Sequence, residues 1–352
     1  MSLYWNKISP HQPRYTQKLQ LTGLLATTCL CLGLASHGAL AAPTLTLYAA
    51  QHGQTVDLLS KAFTQETGIE VKIHAGDPPE LASQLIKEGA SSSADVFFTA
   101  NSPELQLLSG KGLLSKVAPA TLAGVPAQDS GAEGDWVGVL AREDVLAFNT
   151  SMIQEAAMPA SLLDLAKPEW KGKLAIAPTD ADFLPLIGAV AALNGRPAAL
   201  EWLKGLRENA MIFDDNEGVV AAVERGAAAT GIINNYYWPR LRLEKGGDKM
   251  QSAIHHFAGG DVGGVINISG AAVLKASHNQ EAAQKFLAFL VSKPTQEMLS
   301  KLDITFEYPV VAGVAANPIL KPIGELQPPK VSLKQIGDDA DAAQLLREAG
   351  LI

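Results

Sequence analysis

The sequence predicts an α/β protein of two lobes. Strand-like and helix-like hydrophobic patterns alternate along the chain from Thr44 onwards. Hydrophobic residues make up 47% and charged residues 18% of the chain, which is typical of ordered globular proteins. Its 352 residues exceed the length at which a single hydrophobic core stops growing, so two packed units are expected.

The first elements form a β-α-β unit. Residues 45–48 alternate as a short strand, apolar residues then recur at helical spacing until Gly68, and residues 69–73 alternate again. A second helix ends at Gly89, and the apolar run at residues 94–98 is typical of a strand buried in a parallel sheet.

The second half repeats this order without repeating the sequence. Strands are predicted at residues 173–177, 231–233 and 265–268, and helices at residues 183–193, 217–224 and from Asn279 to just before Pro294. The proline-rich tail at residues 318–329 is expected to wrap across the surface of a lobe. Alternating strands and helices indicate a sheet with helices on both faces.

Residues 1–41 have the features of a secretory signal peptide. They contain basic but no acidic residues, then an apolar run over residues 19–34, then the small-residue sequence Ala39-Leu40-Ala41. The apolar run is shorter than the ~20 residues that a membrane-spanning helix needs, so cleavage before Ala42 is favoured over a membrane anchor. We expect an exported mature chain without a membrane-inserted segment.

Charge and cysteine content exclude several classes of protein. The net charge of −8 argues against nucleic acid or an anionic membrane as the main partner. Cys29 and Cys31 both lie in the predicted signal peptide, so the mature chain would have no disulfide and no cysteine nucleophile. An enzyme is disfavoured, because the sequence contains no G-x-S-x-G, H-E-x-x-H or P-loop motif. Two α/β lobes in an exported acidic chain match a solute-binding protein that closes around its ligand.

Two adjacent tyrosines, Tyr236 and Tyr237, are the first candidate for a binding site. They follow the predicted buried strand at residues 231–233, where loops at the carboxyl edge of a sheet present ligand groups. Adjacent helical positions diverge by about 100°, so both phenols converge only at an irregular turn or a helix start, with which Pro239 is compatible. The alternative is that one tyrosine packs in the core and the other lies at the surface.

His52 is the second candidate. It lies between the first strand and the first helix, at the same kind of sheet edge. The alternative is a solvated loop histidine. Because oxygen donors and imidazole both suit iron, His52, Tyr236 and Tyr237 together would form a plausible metal site.

Seven short runs resemble the periplasmic ferric-iron-binding proteins of bacterial iron ABC importers, the bacterial transferrin-like group. The specific run is Asn-Asn-Tyr-Tyr-Trp at residues 234–238. The other runs lie at residues 48–52, 63–69, 94–99, 136–137, 177–179 and 307–309. The resemblance implies a two-lobed periplasmic-binding-protein fold of class II, with the ligand cleft between lobes that two hinge strands join.

With that fold, each lobe is discontinuous in sequence. We expect the N-terminal lobe to comprise residues 42–140 and 266–316, and the C-terminal lobe residues 141–265 and 317–352.

The resemblance also implies site residues. His52, Tyr236 and Tyr237 match the family's histidine ligand and two tyrosine ligands. Asn216 and Asn234 match positions that help to hold a synergistic anion beside the metal.

Two features depart from the family pattern. Ala100 stands where many members have a glutamate ligand, and Asp180 and Asp182 stand where members have a small-residue anion pocket. We hypothesise that Asp180 or Asp182 supplies the missing negative charge, as an additional metal ligand or by charge compensation. The alternative is that these residues cap the helix predicted from residue 183.

Arg142 has two interpretations, and the histidine pair at residues 255 and 256 has one. Arg142 either binds an anion from the hinge side or forms an ion pair with a nearby acid such as Asp144. His255 and His256 are expected to be a solvated pair in a polar loop.

The resemblance implies a periplasmic component of an ABC importer. It would capture ferric iron, Fe(3+), in the cleft and deliver it, as a monomer, to the inner-membrane permease and its ATPase. Phenols bind ferric iron as phenolates, so binding would release protons. The need for an exogenous anion stays open, and the alternative ligands are a ferric chelate, another metal or a small organic solute.

Overall fold

The computed structural model describes residues 44–247 and 249–352. The predicted signal peptide at residues 1–41 lies outside the described residues. Among the helices that are described, none is long and apolar enough to cross a membrane.

The described residues form ten strands and twelve α-helices, which we number in chain order. The strands are β1 (Thr44–Ala50), β2 (Glu70–Ala75), β3 (Val96–Thr99), β4 (Val137–Asn149), β5 (Leu174–Ile176), β6 (Ala210–Ile212), β7 (Thr230–Asn234), β8 (Ser252–His255), β9 (Ile266–Val273) and β10 (Tyr308–Pro309). The helices are α1 (Gly53–Thr67), α2 (Pro78–Glu88), α3 (Ser102–Gly110), α4 (Pro119–Leu122), α5 (Leu184–Asn194), α6 (Arg196–Asn209), α7 (Asn216–Glu224), α8 (Tyr237–Glu244), α9 (Gln280–Leu290), α10 (Lys293–Lys301), α11 (Leu333–Ile336) and α12 (Ala340–Ala349).

The strands form a mixed sheet in the order β2-β1-β3-β9-β4-β7-β5-β6, with β8 and β10 also paired to β4. Strands β1, β2 and β3 are parallel to one another, and so are β5, β6 and β7. The expectation of a parallel sheet around residues 94–98 was right for one edge of β3 and wrong for the other, which pairs antiparallel with β9. Hydrophobic periodicity carries no information on strand direction.

Strand β4 connects the two halves of the sheet. Up to Glu143 it pairs with β9, and from Asp144 it pairs with β7. All 13 of its residues are buried. The sequence does not predict this strand, because the charged run Arg142-Glu143-Asp144 interrupts its apolar pattern.

Local signals set the ends of the early helices as predicted. Gly68 ends α1 with φ of 73°, a conformation that only glycine adopts without strain, and its N–H bonds to the carbonyl of Thr64. Gly89 ends α2 with a positive φ of 52°, and its N–H bonds to the carbonyl of Leu85. On the buried face of α1, Phe63 packs edge-on against Phe286 of α9, with ring centroids 5.0 Å apart. This contact packs α1 against α9.

The C-terminal tail contains two helices that the sequence pattern does not predict, α11 and α12. Buried leucines of α12 pack against α5 and α6, and Arg196 at the start of α6 pairs with Asp341 and Glu348 at 2.8 Å each. The proline-rich residues 318–329 are irregular apart from one 3-10 turn, and they run beside β9 and β10.

Candidate functional site

Four strand ends open into one cleft of about 540 Å³. Parallel strands end at the same edge of a sheet, so the residues after β1 and β3 meet on one side and those after β5 and β7 on the other. We call these the β1–β3 side and the β5–β7 side. The β1–β3 side contributes His52, Ala100 and Asn101, and the β5–β7 side contributes Asp180, Asp182, Tyr236 and Tyr237.

Tyr236 and Tyr237 are placed together by the start of α8. The side chain of Asn235 anchors the end of β7 by accepting the backbone N–H of Glu143 at 2.9 Å. Pro239 lies in the first turn of α8, where a helix does not need its N–H. Both tyrosines are buried, with ring centroids 4.2 Å apart, so the alternative with one tyrosine at the surface was wrong.

The carboxylate of Asp182 accepts hydrogen bonds from both phenols. The hydroxyl of Tyr236 donates to its Oδ2 at 2.5 Å, and that of Tyr237 donates to the same oxygen at 3.0 Å. Its Oδ1 accepts from Asn101 Nδ2 at 3.3 Å and lies 3.4 Å from an Nη of Arg142. Burial by itself raises the pKa of Asp182, but Arg142 and the phenols outweigh burial and hold the pKa below its ordinary value.

The two phenols are strongly protonated in the metal-free cleft. Burial raises the pKa of Tyr236 and of Tyr237 well above the ordinary value, and the charge on Asp182 raises both further. Each phenol is therefore a hydrogen-bond donor at neutral pH. A cation that displaces these two protons would meet two anionic oxygens in their place.

His52 faces Tyr236 from the opposite side of the cleft. The two ring centroids are 4.9 Å apart, and the imidazole Nε2 is buried without a hydrogen-bond partner. Burial, and next the charge on Arg240, lower the pKa of His52 to about 3. The solvated alternative was wrong, because the Nε2 of His52 is buried and the lowered pKa keeps the imidazole neutral.

Arg142 lies where β4 passes under the cleft. Its guanidinium donates to the carbonyl of Ala100 and to Asn101 Oδ1, and forms ion pairs with Asp182 at 3.4 Å and Glu307 at 3.5 Å. An ion pair with an acid was one of the two interpretations of Arg142, and its ion-pair partners are Asp182 and Glu307 in place of Asp144, the example given.

Asp144 has a different partner because the side chain of Asn234 lies against it. Asn234 Nδ2 donates to Asp144 Oδ1 at 2.8 Å, while Asn234 Oδ1 is buried without a partner. Asn234, expected beside an anion, is thus the last residue of β7 and bonds to Asp144.

Asp180 and Asp182 have different surroundings. Asp180 accepts the backbone N–H of Asp182 at 3.0 Å and both the backbone N–H and the side chain of Asn216, at 3.0 and 2.8 Å. Asp180 is thus a cap for the 3-10 turn that precedes α5, as the alternative interpretation proposed, whereas Asp182 faces the phenols. Asn216 was expected beside an anion. Its backbone N–H and its side-chain amide instead donate to the carboxylate of Asp180.

The expectation for the two histidines at 255 and 256 was wrong. His255 is the last residue of β8, and the Nδ1 of His256 lies 2.6 Å from Oε2 of the buried Glu143. The polar composition of the segment does not predict the contact between His256 and Glu143, because Glu143 is distant in sequence.

Sequence reasoning missed several residues that build the site. Asn101 and Asn235 orient Asp182 and the start of α8, and the guanidinium of Arg240 lies 4.5 Å from the centre of the Tyr236 ring. Asn235 and Arg240 belong to the unusual segment around the tyrosines, which was their only signal. Glu307 lies in one of the runs that carry the resemblance, but only the tertiary fold brings it to Arg142.

The donor set is unusual for a metal centre. Within residues 44–247 and 249–352, no three His, Cys, Asp or Glu side chains are grouped as metal ligands. The cleft instead gathers two phenols, a carboxylate and an imidazole. Oxygen donors suit hard, highly charged cations, and imidazole suits iron, so the set fits a ferric ion.

Residues 59–327 match the family of bacterial extracellular solute-binding proteins. The chain belongs to this family. Its members bind solutes and are not enzymes, so the prediction that this is not an enzyme is confirmed.

Relatives of this solute-binding protein are named for iron. It is 37% identical over 340 residues to the Fe(3+)-binding periplasmic protein of Serratia marcescens, covering 95% of this chain and 100% of that one. It is also 37% identical over 312 residues to the major ferric iron-binding protein of Neisseria meningitidis, covering 87% and 93%. The resemblance found in the sequence is thereby confirmed.

The fold is confirmed by a solved structure. Iron-bound HitA from Pseudomonas aeruginosa is 43% identical, with a TM-score of 0.84 and coverage of 88% of this chain and 99% of that one. The solute-binding protein described here therefore has the two-lobed α/β fold that its sequence predicts.

Proposed function

We propose that this protein captures ferric iron in the cleft through His52, Tyr236 and Tyr237, and delivers it to an ABC permease and its ATPase. One observation carries the proposal: two phenol oxygens converge on one carboxylate oxygen, opposite an imidazole whose Nε2 is buried and unpaired. Ferric iron is the ligand named for the Serratia and Neisseria relatives. Export to the periplasm through residues 1–41 is part of the same proposal.

Binding would be coupled to proton release and to closure. The phenols bind ferric iron only as phenolates, so the two protons held against Asp182 must leave when the metal arrives. His52 and the tyrosines come from opposite sides of the cleft, so a metal that binds all three favours the closed arrangement over an open one. The permease would then recognise the closed form.

We propose β4 and β9 as the two hinge strands, with lobes formed by residues 42–140 and 266–316 and by residues 141–265 and 317–352. The change of partner along β4 after Glu143 supports a hinge at this point. The packing of α12 against α5 and α6 supports the assignment of the tail to the second lobe.

The test is a titration of the metal-free protein with a weakly chelated ferric salt, followed by its visible spectrum. We expect a phenolate-to-iron charge-transfer band that saturates at one metal per chain and weakens in Tyr236→Phe and Tyr237→Phe. Tyr48→Phe is the matched control, because the Tyr48 hydroxyl bonds to Glu88 at 3.1 Å, outside the cleft lining. A folded wild type without the band would refute the proposal.

A further inference from the structure

We infer that a cavity behind the proposed hinge strands binds a small organic monocation with an apolar body, and that this occupant strengthens iron binding in the cleft. We call this space the rear cavity. Its volume is about 630 Å³, and it lies between β4, β9, residues 309–314 and the tail at residues 323–333. The binding site itself is independent of the proposed function, whereas its effect on iron binding rests on that function.

The rear cavity and the cleft lie on opposite faces of the same two strands. Successive side chains of a strand point to opposite faces. In β4, Arg142 pairs with a carboxylate that lines the cleft, whereas its neighbour Ala141 lines the rear cavity. In β9, Asn267 donates a hydrogen bond to the cleft side, whereas Ile266 and Ile268 line the rear cavity. A change of angle between the lobes therefore alters both spaces.

The rear cavity is an apolar space with a single charge. Its lining consists of Val, Ile, Leu, Pro, Ala and Gly residues apart from Gln128, Asp129 and Ser332. Ligand pockets typically have volumes of about 300–1,000 Å³, apolar walls and a few polar groups. Among the described residues that line this cavity, Asp129 is the one charged side chain. The ligand charge that complements the cavity is therefore positive.

The carboxylate of Asp129 is available to a ligand. Burial raises the pKa of Asp129 to about 6, and in the described part of the chain no neighbouring charge or donor opposes burial. The carboxyl is therefore mostly ionised at neutral pH. Its turn is held in place, because the N–H of Asp129 bonds to the carbonyl of Pro126 at 2.9 Å and Ser130 Oγ accepts the N–H of Gly138 in β4 at 3.2 Å. An ammonium group would give this carboxylate a charge-assisted hydrogen bond.

The position of the rear cavity indicates how an occupant acts on the cleft. The cleft is narrow in this structure, with the ring centroids of His52 and Tyr236 4.9 Å apart across it. One wall of the rear cavity comes from residues 126–129 and 309–314 of one proposed lobe, and another comes from residues 323–333 of the other. Because the hinge strands lie between the two spaces, opening the cleft brings these walls together. An occupant therefore opposes opening and favours the arrangement that binds iron.

The first experiment measures binding to the metal-free protein by isothermal titration calorimetry at neutral pH. The probes share one carbon chain and differ in charge: n-hexylammonium, hexan-1-ol and hexanoate. We expect n-hexylammonium to bind once per chain, and at least about tenfold more tightly than hexan-1-ol, which is the contribution of a hydrogen bond to a charged group. Hexanoate should bind more weakly than hexan-1-ol, because its charge is the same as that of Asp129.

Two variants test the role of the carboxylate. Asp129→Asn should bind n-hexylammonium no more tightly than hexan-1-ol, and it should fold, because no described group bonds to this carboxylate. Glu325→Gln is the matched control, because Glu325 is an exposed carboxylate beside the cavity that does not line it. This control should bind all three probes as the wild type does. Circular dichroism checks that each variant is folded.

The second experiment measures the effect on iron. Iron affinity is determined by competition against a chelator, with and without a saturating concentration of n-hexylammonium. We expect the affinity of the wild type to rise by about fivefold or more, the lower end of typical coupling between two sites. In Asp129→Asn the same concentration should leave the iron affinity unchanged, which controls for direct effects of the amine on the metal.

The outcomes separate this inference from the proposed function. Equal binding of n-hexylammonium and hexan-1-ol, or a preference that survives in Asp129→Asn, would overturn the assignment of a cation site and leave the proposed function standing. Selective binding of n-hexylammonium with an unchanged iron affinity would overturn the coupling. A protein that binds n-hexylammonium as expected but shows no iron band would overturn the proposed function and leave the rear site standing.

Discussion

The two sides of the cleft contribute different kinds of donor. The β5–β7 side brings three acidic oxygens together, from Asp182, Tyr236 and Tyr237, in a network in which every proton has an acceptor. The β1–β3 side contributes His52, a single neutral nitrogen without a hydrogen-bond partner. One side therefore carries three acidic groups, and the other carries a neutral nitrogen that lies close to the ring of Tyr236.

Two buried carboxyl groups, those of Asp182 and Glu104, also differ between the two sides, because one has hydrogen-bond donors and the other has none. Asp182 on the β5–β7 side accepts three hydrogen bonds and an ion pair, and its pKa is lowered, although burial opposes this. Glu104 in α3, behind the β1–β3 side, has no hydrogen-bond partner for either oxygen, and burial raises its pKa to about 8. Asp182 thus has the donors and the positive charge that favour its ionised form, and Glu104 lacks such donors.

The largest expected effect is the loss of either phenol. Tyr237→Phe or Tyr236→Phe should weaken iron binding by more than about a hundredfold, above the range for groups outside the ligand shell. Each substitution removes an anionic donor, and the charge-transfer band should weaken with it. Equilibrium competition against a chelator of known affinity measures the loss. An effect no larger than that of Tyr48→Phe would show that the phenols are structural.

Acidification should have the next largest effect. Each phenol has a pKa raised well above 10, so each bound phenol releases one proton, whereas His52, with a pKa of about 3, is already neutral. The affinity for iron should therefore fall as the pH falls, by about a hundredfold per pH unit if two protons are released. Competition titrations between pH 8 and pH 6 give the slope, and a pH-independent affinity would contradict phenolate binding.

His52 should matter less than either tyrosine. His52→Ala removes a neutral donor and leaves the charge of the site unchanged, so we expect a loss of about tenfold in affinity. The charge-transfer band should persist, because both phenolates remain, and the slope of affinity against pH should be unchanged. A slope reduced by one proton in this variant would mean that His52 is protonated in the metal-free protein.

The smallest effect concerns stability alone. The carboxyl of Glu104 has an ordinary pKa of 4.5 and a folded-state pKa of about 8, so the folded state binds more protons between these values. Stability is therefore lost as the pH rises through this window, and Glu104→Gln should remove that loss.

Thermal melting checks this expectation. The midpoint of Glu104→Gln should exceed that of the wild type by a few degrees at pH 8 and by less at pH 5. Glu66→Gln, on the exposed surface of α1, is the control and should show no such difference. An equal shift at both pH values would mean that the gain does not come from ionisation.

Much of the fold could be predicted from local patterns. Glycines at 68 and 89 end helices where predicted, and α5, α7 and α9 begin and end within a few residues of the expected positions. Strand β4 could not be predicted, because its charged residues Arg142, Glu143 and Asp144 are buried by partners distant in sequence. Hydrophobic periodicity indicates residues that are buried by apolar contacts. It does not indicate charged residues that are buried by ion pairs or hydrogen bonds.

The sequence by itself determined the fold class, the two adjacent tyrosines after a buried strand and the histidine after another. These follow from short-range rules, since strand ends and helix starts depend on neighbouring residues. Only the tertiary structure decided that Asp182 bonds to both phenols while Asp180 caps a turn, and that Arg142 pairs with Asp182 and Glu307. The physical reason is that charge and hydrogen-bond partners are chosen by distance in space, which chain order does not contain.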